Sequence, residues 1–389
     1  MKTIDIKNDQ ENTVELTHYD ETYQAFRDAV RKFAREQVSP HAAAVDEEAR
    51  PPLEAYHASL ALGLPGLPFP ERFGGQEGDL ITQLVAIEEI ARVCAASATT
   101  ISTCWIMMIL NRFGSEEQKQ MIIPPVVQGR ERSAWGLTEP KGGSDLMGVK
   151  TRAVNTEAGW VLNGTKRFIT NGGWADWYLI FARTENDHFG IFLVHKDDKG
   201  VSFGAPEKKM GLRGSPTCDV ILDDCEIPLD RVVGDPAEGE RYIKAGLLAS
   251  RLKYAAQGLG IAQGALDEAV NYTRTREQFG KPIYQFQMLK GMMADMAIKV
   301  ESARATMLHA ATLVVNGDPQ AKFLACIAKT ACTDAAMAVT TEAVQLHGGY
   351  GYLKDYPVER MMRDAKITQI WEGTNQIQRL MIAKELFSK

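Results

Sequence analysis

The chain has 389 residues, of which 45% are hydrophobic and 24% are charged, and its net charge is -6. This length predicts two or three domains or one large multilayer unit, and the composition excludes a disordered or fibrous chain. The negative net charge argues against nucleic acid as the main partner.

The first third of the chain has the apolar periodicity of helices. Apolar residues recur every three or four positions from Tyr19 to Val45, where Pro40 is expected to end or bend the helix. A breaker-rich turn at 62–75 follows, and helical patterns then continue to Phe113. The basic run from Arg27 to Arg35 has an apolar opposite face, which predicts a solvated helix face and not a phosphate site.

The pattern changes near Glu131, where short apolar runs indicate strands. Trp160 to Leu162 and Arg167 to Thr170 are predicted to form a hairpin through Asn163-Gly164, the strongest local turn signal in this region. Turn residues separate further strand-like runs up to Leu222. We therefore expect a small antiparallel sheet domain.

After Val233 the pattern returns to helix. One long helix is marked by an apolar stripe whose members are Met288, Met292, Met296, Val300, Met307, Ala311 and Val314. We expect these methionines to pack in the core and not to line a cofactor site. Similar patterns at 243–275 and 320–346, with a last helix at 376–386, predict an antiparallel bundle.

The predicted fold class is α+β and mainly α. It comprises an N-terminal helical domain at 1–130, a middle antiparallel β-domain at 131–240 and a C-terminal four-helix bundle at 241–389. The six cysteines form no C-x-x-C pair, which predicts reduced packing residues. No apolar run is expected to reach membrane-spanning length, and the polar N-terminus lacks a targeting pattern, so we expect a cytoplasmic protein without a membrane partner.

One carboxylate stands out near the C-terminus, in Trp371-Glu372-Gly373. Burial beside an indole raises the pKa of a carboxyl group toward the range of a general base, and Gly373 lets a ligand approach the backbone. The alternative is a solvated glutamate in a turn. Asn375 and Gln378 are predicted to form a variant capping box at the start of the following helix.

Two glycine-rich segments are candidate ligand sites. The cluster at 138–145 offers hydroxyls and backbone N–H groups to a planar polar ligand, whereas the cluster at 345–351 is either a similar site or only a helix C-cap. Gly258 to Gly264 imitates a dinucleotide fingerprint, but it lies in a helical pattern without a preceding strand, so close helix packing is expected. His347 alone makes neither a triad nor a metal site, and we predict no metal.

Five blocks between Phe33 and Leu386, taken together and in order, resemble the acyl-CoA dehydrogenases. These flavoenzymes have an N-terminal helical domain, a middle β-domain and a C-terminal four-helix bundle. The blocks are Leu62 to Gly75, Leu137 to Asp145, Phe168 to Gly172, Arg276 to Lys281, and Gln345 to Gly351 with Arg363 to Lys366 and Glu372 to Thr374.

The resemblance implies a FAD site shared between subunits, and therefore a homo-oligomer, most simply a homotetramer. The residues implied around the isoalloxazine are Thr138, Ser144, Phe168 and Thr170. The residues implied at the pyrophosphate and adenine of a FAD held by the neighbouring subunit are Arg276, Phe279, Gln287, Gln345 and Gly349, with Thr374 and Gln376 over the adenosine side. A guanidinium such as that of Arg276 matches pyrophosphate geometry.

The reaction implied by the resemblance is α,β-dehydrogenation of an acyl-CoA in fatty acid or amino acid catabolism, with electrons passed to an electron-transfer flavoprotein. Glu372 would take the α proton, and its backbone N–H would bind the thioester oxygen. Arg251 would hold the loop of Glu372, while Ser144 and Gly373 would contact the substrate. Ser250 stands where some relatives carry the base, which leaves Glu372 as the only candidate. The alternatives are an acyl-CoA oxidase, another flavin reaction on this fold, or a scaffold without cofactor.

The sequence departs from the family pattern at two places and suggests a limit on acyl size. Phe168 stands where many members have tryptophan, and Lys141-Gly142-Gly143 replaces a commoner Gly-Ala-Gly. The resemblance implies that the helix after Glu88 to Ala91 lines the end of the acyl pocket. At least one of Trp105, Met107 and Met108 is then expected to point into this pocket and to favour short or compact acyl groups. The alternative is that all three pack in the core.

Overall fold

The computed structural model describes residues 21–387, so the polar N-terminus and the predicted helix start at Tyr19 lie outside the described range. The helices of the first part are α1 (Glu21–Phe33), α2 (Ala42–Glu47), α3 (Leu53–Ala61), α4 (Leu80–Ala91), α5 (Ala95–Ser102), α6 (Met108–Phe113) and α7 (Glu116–Val127). Pro40 lies in a short 3-10 turn between π-helical residues 34–38 and α2. The predicted break at this proline is therefore confirmed.

The basic face of α1 is not fully solvated, and that prediction is wrong. Arg27 is only 1% exposed, and its Nε lies 2.6 Å from a carboxylate oxygen of Glu89 in α4. Arg31 pairs with the same carboxylate at 2.9 Å. Because a buried charge needs an opposite charge or hydrogen bonds, these ion pairs fix α1 against α4.

The middle part is a seven-stranded sheet in the order β1-β4-β2-β3-β7-β6, with β5 paired to β4. Its strands are β1 (Ser133–Gly136), β2 (Arg152–Thr156), β3 (Gly159–Thr170), β4 (Trp177–Arg183), β5 (Phe189–His195), β6 (Val201–Phe203) and β7 (Thr217–Ile227). Most pairs are antiparallel, but β4 pairs in parallel with β1 and at one position with β2. The prediction of an antiparallel sheet is thus wrong at β4, because residues 137–176 form a crossover long enough for parallel pairing.

The predicted hairpin at Asn163-Gly164 is also wrong, because Gly159–Thr170 is one continuous strand. Its register against β7 shifts between Leu162 and Gly164, so the Asn-Gly pair marks a β-bulge. A Cβ at Gly164 would lie 2.4 Å from the hydroxyl of Thr151, which explains the glycine at this bulge. The turn that reverses the chain lies at 157–158, between β2 and β3.

The last part is a bundle of long helices. Its elements are α8 (Gly239–Thr275), a ribbon of β8 (Glu277–Gln278) and β9 (Lys281–Pro282), α9 (Gln287–Val315), α10 (Ala321–His347), α11 (Val358–Thr368) and α12 (Asn375–Phe387). Helices α8, α9 and α10 pack on one another, α12 packs on α10, and α11 is a fifth helix that the periodicity did not predict. Met296 and Met307 of the apolar stripe are buried as expected, whereas Met288 is 80% exposed.

Helix α8 approaches α4 closely at two glycines. A Cβ at Gly260 would lie 2.3 Å from the carbonyl oxygen of Glu88, and one at Gly264 would lie 2.0 Å from that of Arg92. The glycines are therefore needed for contact between helices, which confirms the packing interpretation of this segment.

Helix α10 with the turn after it, Ala321–Tyr352, is long and apolar enough to cross a membrane, contrary to the expectation from the sequence. However, 56% of its apolar window is buried against the rest of the chain. That burial is typical of a central bundle helix. The six cysteines are all buried and free, as predicted.

Candidate active site

Glu372 lies in a tight loop between α11 and α12. Its φ is 53° and that of Gly373 is 85°. Left-handed backbone is uncommon for a residue with a side chain and is concentrated at functional sites. The Gln378 amide donates to the carbonyl oxygens of Glu372 and Gly373 at 3.2 and 3.1 Å, and Lys329 Nζ donates to that of Gly373 at 3.0 Å. These three hydrogen bonds stabilise the strained loop.

The start of α12 differs from the prediction. Thr374 Oγ1, and not the Asn375 side chain, accepts the backbone N–H of Ile377 at 3.2 Å. Asn375 is buried, and its Oδ1 accepts from Lys329 Nζ at 2.8 Å. The predicted capping box is therefore wrong, because Asn375 and Gln378 fix the loop to its surroundings.

Glu372 faces a cavity of about 260 Å³ between α4, the 103–113 segment, β1 and α8. Apolar side chains dominate its wall, among them Leu84, Ile87, Trp105, Met108, Ile109, Phe113, Trp135 and Tyr254. The polar groups Thr170, Ser250 and Lys253 also line it. An apolar cavity with a few convergent polar groups is typical of a small-molecule site. Trp105 and Met108 point inward as expected, whereas Met107 is fully buried elsewhere in the core.

Opposing effects act on the pKa of Glu372, and the net direction is upward. Burial raises this pKa because the charged carboxylate loses hydration. The Ser250 hydroxyl, which donates to Oε2 at 2.5 Å, and the nearby charges of Lys253 and Lys329 lower it in part. A raised pKa makes this carboxylate a stronger base than an ordinary exposed glutamate.

Thr138, Ser144, Phe168 and Thr170 lie on the middle domain. Phe168 is 58% exposed and has a φ of 57°, at the second register shift of β3. Ser144 is exposed, while Thr138 and Thr170 are half-buried. An open ring face with hydroxyls on the same domain suits a flat, partly polar ligand.

A buried ion pair positions the loop of Thr138, and sequence reasoning missed it. Lys166 Nζ lies 2.8 Å from Glu139 Oε1, and the same carboxylate accepts the backbone N–H groups of Lys150 and Thr151 at 2.7 and 2.9 Å. The Glu139 carboxylate therefore joins the 138–145 cluster to the sheet. Only its place beside Thr138 hinted at this role.

Arg276, Gln345 and Gly349 line a second cavity, of about 410 Å³, at the ends of α8 and α10. Phe279 is 92% exposed in the ribbon, and Gln287 is exposed at the start of α9. None of these five residues lines the cavity of Glu372 within the described chain.

Two other predicted site residues, Gln376 and Arg251, lie near the loop of Glu372. Gln376 lines a third cavity, of about 380 Å³, with Asp334 and Arg379. Arg251 is buried, its Nη2 lies 3.6 Å from the Met381 sulfur, and its Nε has no hydrogen-bond partner within residues 21–387. Lys329 and Gln378 hold the loop by hydrogen bonds, whereas Arg251 acts on Glu372 through its charge. The holding role of Arg251 stays a prediction.

His347 has a packing role. Its ring stacks on Tyr272 at a centroid distance of 4.1 Å, and burial lowers its pKa. Residues 21–387 contain no cluster of three or more His, Cys, Asp or Glu side chains suited to a metal ion.

The chain matches the family models of three acyl-CoA dehydrogenase domains. These are the N-terminal domain at 20–130, the middle domain at 134–225 and the C-terminal domain at 237–387. The short-chain-specific acyl-CoA dehydrogenase of Clostridium acetobutylicum is 42% identical, over 93% of this chain and 97% of its own. Butyryl-CoA dehydrogenase from Megasphaera elsdenii has a TM-score of 0.91 and 38% identity, with 95% of this chain and 99% of that chain covered. A chain in the structure of an electron transferring flavoprotein of Acidaminococcus fermentans has a TM-score of 0.92 and 40% identity, with coverages of 97% and 100%.

Proposed function

Because the chain belongs to the acyl-CoA dehydrogenase family of flavin-dependent oxidoreductases, we propose that it converts an acyl-CoA thioester to a trans-2-enoyl-CoA with Glu372 as the base. The observation that carries this proposal is the carboxylate of Glu372, which has a raised pKa and faces an apolar cavity. The carboxylate accepts the α proton, and the backbone N–H of the same residue stabilises the negative charge that develops on the thioester oxygen. The apolar wall excludes water from the reacting carbons.

The residues of this chain fit FAD. Phe168, Thr138, Thr170 and Ser144 would hold the isoalloxazine, which accepts the β hydrogen as a hydride when FAD is bound. At the second cavity, a Cβ at Gly349 would meet no atom within 4 Å, so a phosphate could reach the backbone there beside the Arg276 guanidinium.

A cofactor shared between two subunits would explain why Arg276, Gln345 and Gly349 line a different cavity from Glu372. We propose that each FAD is bound by two subunits, with Phe279, Gln287 and Gln345 reaching the cofactor of the neighbour, in a homotetramer. The exposed Phe279 and Met288 are consistent with burial by another copy of the chain. An electron-transferring flavoprotein is the proposed electron acceptor, and the match to a chain in such a structure supports it.

The proposal is tested with the purified flavoprotein and a panel of acyl-CoAs of increasing chain length. At least one thioester should support steady reduction of an artificial electron acceptor, while oxygen alone reoxidises the enzyme slowly. Peroxide formation at the rate of turnover would instead identify an oxidase. Absence of activity with every thioester, in a preparation with full flavin content, would reject the proposed reaction.

Replacing Ser250 with alanine should shift the pH dependence. The hydroxyl stabilises the charged form of Glu372, so its loss raises the pKa of this base further. Activity falls as the pH drops through the pKa of a base, and the acidic limb of the kcat/KM profile should therefore move to higher pH. Ser250→Thr keeps a hydroxyl and should leave the limb near its wild-type position. Superimposable profiles for Ser250→Ala and the wild type would contradict this.

Replacing Trp105 with alanine should move the kcat/KM optimum toward longer acyl chains. The indole lines the cavity, and each extra methylene that the enlarged cavity buries is worth roughly 0.8 kcal/mol. The matched control is Met107→Ala, because Met107 is buried but does not line the cavity. This control should lower stability and leave the chain-length optimum in place. A Trp105→Ala profile that falls uniformly across chain lengths would contradict the role of the indole.

A further inference from the structure

Lys253 places a cation in the acyl cavity that α,β-dehydrogenation does not require. It lines the cavity from α8, and its Nζ donates to the carbonyl oxygen of Ser102 at 2.6 Å. The ammonium lies 5.8 and 5.3 Å from the ring centroids of Trp105 and Tyr254. An ammonium has three N–H donors, so two donors remain for another acceptor in the cavity.

Several buried cations of the chain contact carboxylates, whereas the buried Lys329 donates to the carbonyl oxygen of Gly373 and to Asn375 Oδ1. Arg27 pairs with Glu89, Arg304 with Glu88, and Lys166 with Glu139, at 2.6 to 3.0 Å. Within residues 21–387, no carboxylate forms such an ion pair with Lys253. Arg251 also has no carboxylate contact, but it does not line the cavity.

The position of Lys253 along α8 fixes where an acceptor would lie. Ser250 contacts Glu372 and stands three residues before Lys253, so both side chains lie on one helix face with their Cβ atoms about 5–6 Å apart. An acyl chain whose α carbon meets Glu372 would reach Lys253 within a few bonds.

We propose that Lys253 determines specificity by binding a carboxylate at the far end of the acyl chain, so that the preferred substrates are CoA thioesters of short dicarboxylic acids. This inference rests on the proposed dehydrogenation and adds the substrate class. The charge of Glu372 acts on Lys253 from across the cavity, but no carboxylate of residues 21–387 contacts the ammonium. The substrate carboxylate would form this direct ion pair, and the small cavity with its Trp105 wall limits the chain length. The reaction at the α and β carbons is unchanged.

The experiment compares matched thioesters of equal carbon number: glutaryl-CoA against pentanoyl-CoA, and adipyl-CoA against hexanoyl-CoA. In the wild type, the ratio of kcat/KM for diacid over monoacid should exceed one for at least one pair. Lys253→Met removes the charge at similar length and should lower this ratio by about ten- to a hundredfold, the usual loss for a charge-assisted hydrogen bond. Lys253→Arg should retain most of the preference.

A matched control is Arg112→Met, which removes the exposed cation at the same cavity. It should change the ratio by less than about threefold, since exposed charges contribute little. If Lys253→Met is poorly folded or loses flavin, Lys253→Gln provides the same comparison.

Three results would overturn the assignment of Lys253. The first is a wild-type preference for the monoacid in both pairs. The second is a diacid-to-monoacid ratio that falls in Arg112→Met and not in Lys253→Met. The third is a Lys253→Met variant that loses activity equally on both thioesters while the acidic limb of its kcat/KM profile shifts, which would indicate that Lys253 acts only on Glu372. Activity on pentanoyl-CoA separates these results from failure of the proposed function, because that failure would leave all four thioesters inactive.

Discussion

Replacing Glu372 with glutamine is expected to lower kcat by about four orders of magnitude, the upper end of the effect of a general base. The amide has nearly the shape of the carboxylate, but it cannot accept the α proton. Flavin content and the spectral change on thioester binding should persist, because the loop is held by Lys329 and Gln378 through backbone carbonyls. Single-turnover flavin reduction measures the chemical step directly.

The matched control for this variant is Glu385→Gln on the exposed face of α12. Glu385 pairs with Lys322 at the surface, so its loss should leave kcat close to the wild-type value. If Glu372→Gln kept near-wild-type turnover, Glu372 would be rejected as the base.

Replacing Gly264 with alanine should destabilise the protein by about 3 kcal/mol, the upper end of overpacking costs. The new Cβ would lie 2.0 Å from the carbonyl oxygen of Arg92, a backbone atom that moves only with α4. Helix α4 also carries Glu88 and Glu89, which pair with Arg304 and Arg27, so a displaced α4 would disturb buried ion pairs. Chemical denaturation gives the change in the free energy of unfolding.

Gly291→Ala provides the comparison for the same substitution. Gly291 lies in α9, and a Cβ there would meet no atom within 4 Å. Alanine should raise stability there by up to about 1 kcal/mol through helix propensity. Equal stability changes at Gly264 and Gly291 would show that close packing of α8 on α4 does not govern the first position.

Local sequence patterns predicted the helices and the raised pKa of Glu372, because both predictions rest on residues close together in sequence. The apolar stripe of α9 repeats with the helical period, and Met296 and Met307 are buried in the bundle. Asn163-Gly164 misled because its turn preference is weaker than pairing with β7, which continues on both sides of the bulge. The burial of Arg27 depended on Glu89, which is 62 residues away in sequence.

The chemistry of the site needed contacts that no local pattern contains. Ser250 is separated from Glu372 by 122 residues, so the hydrogen bond that acts on the pKa of the proposed base is visible only in the folded chain. The position of Lys253 in the cavity of Glu372 could not be predicted either, because the helical period does not reveal which helix face borders a cavity. The family resemblance supplied the cofactor residues, and the structure places them in separate surfaces of one chain.

The most direct test of the central claim is anaerobic mixing of the purified flavoprotein with an acyl-CoA, followed by analysis of the thioester. We expect the flavin absorbance to bleach in a single turnover, with an equimolar amount of trans-2-enoyl-CoA formed, and neither change in Glu372→Gln. Flavin that stays oxidised with every thioester, or bleaching without enoyl-CoA, would contradict the proposed dehydrogenation.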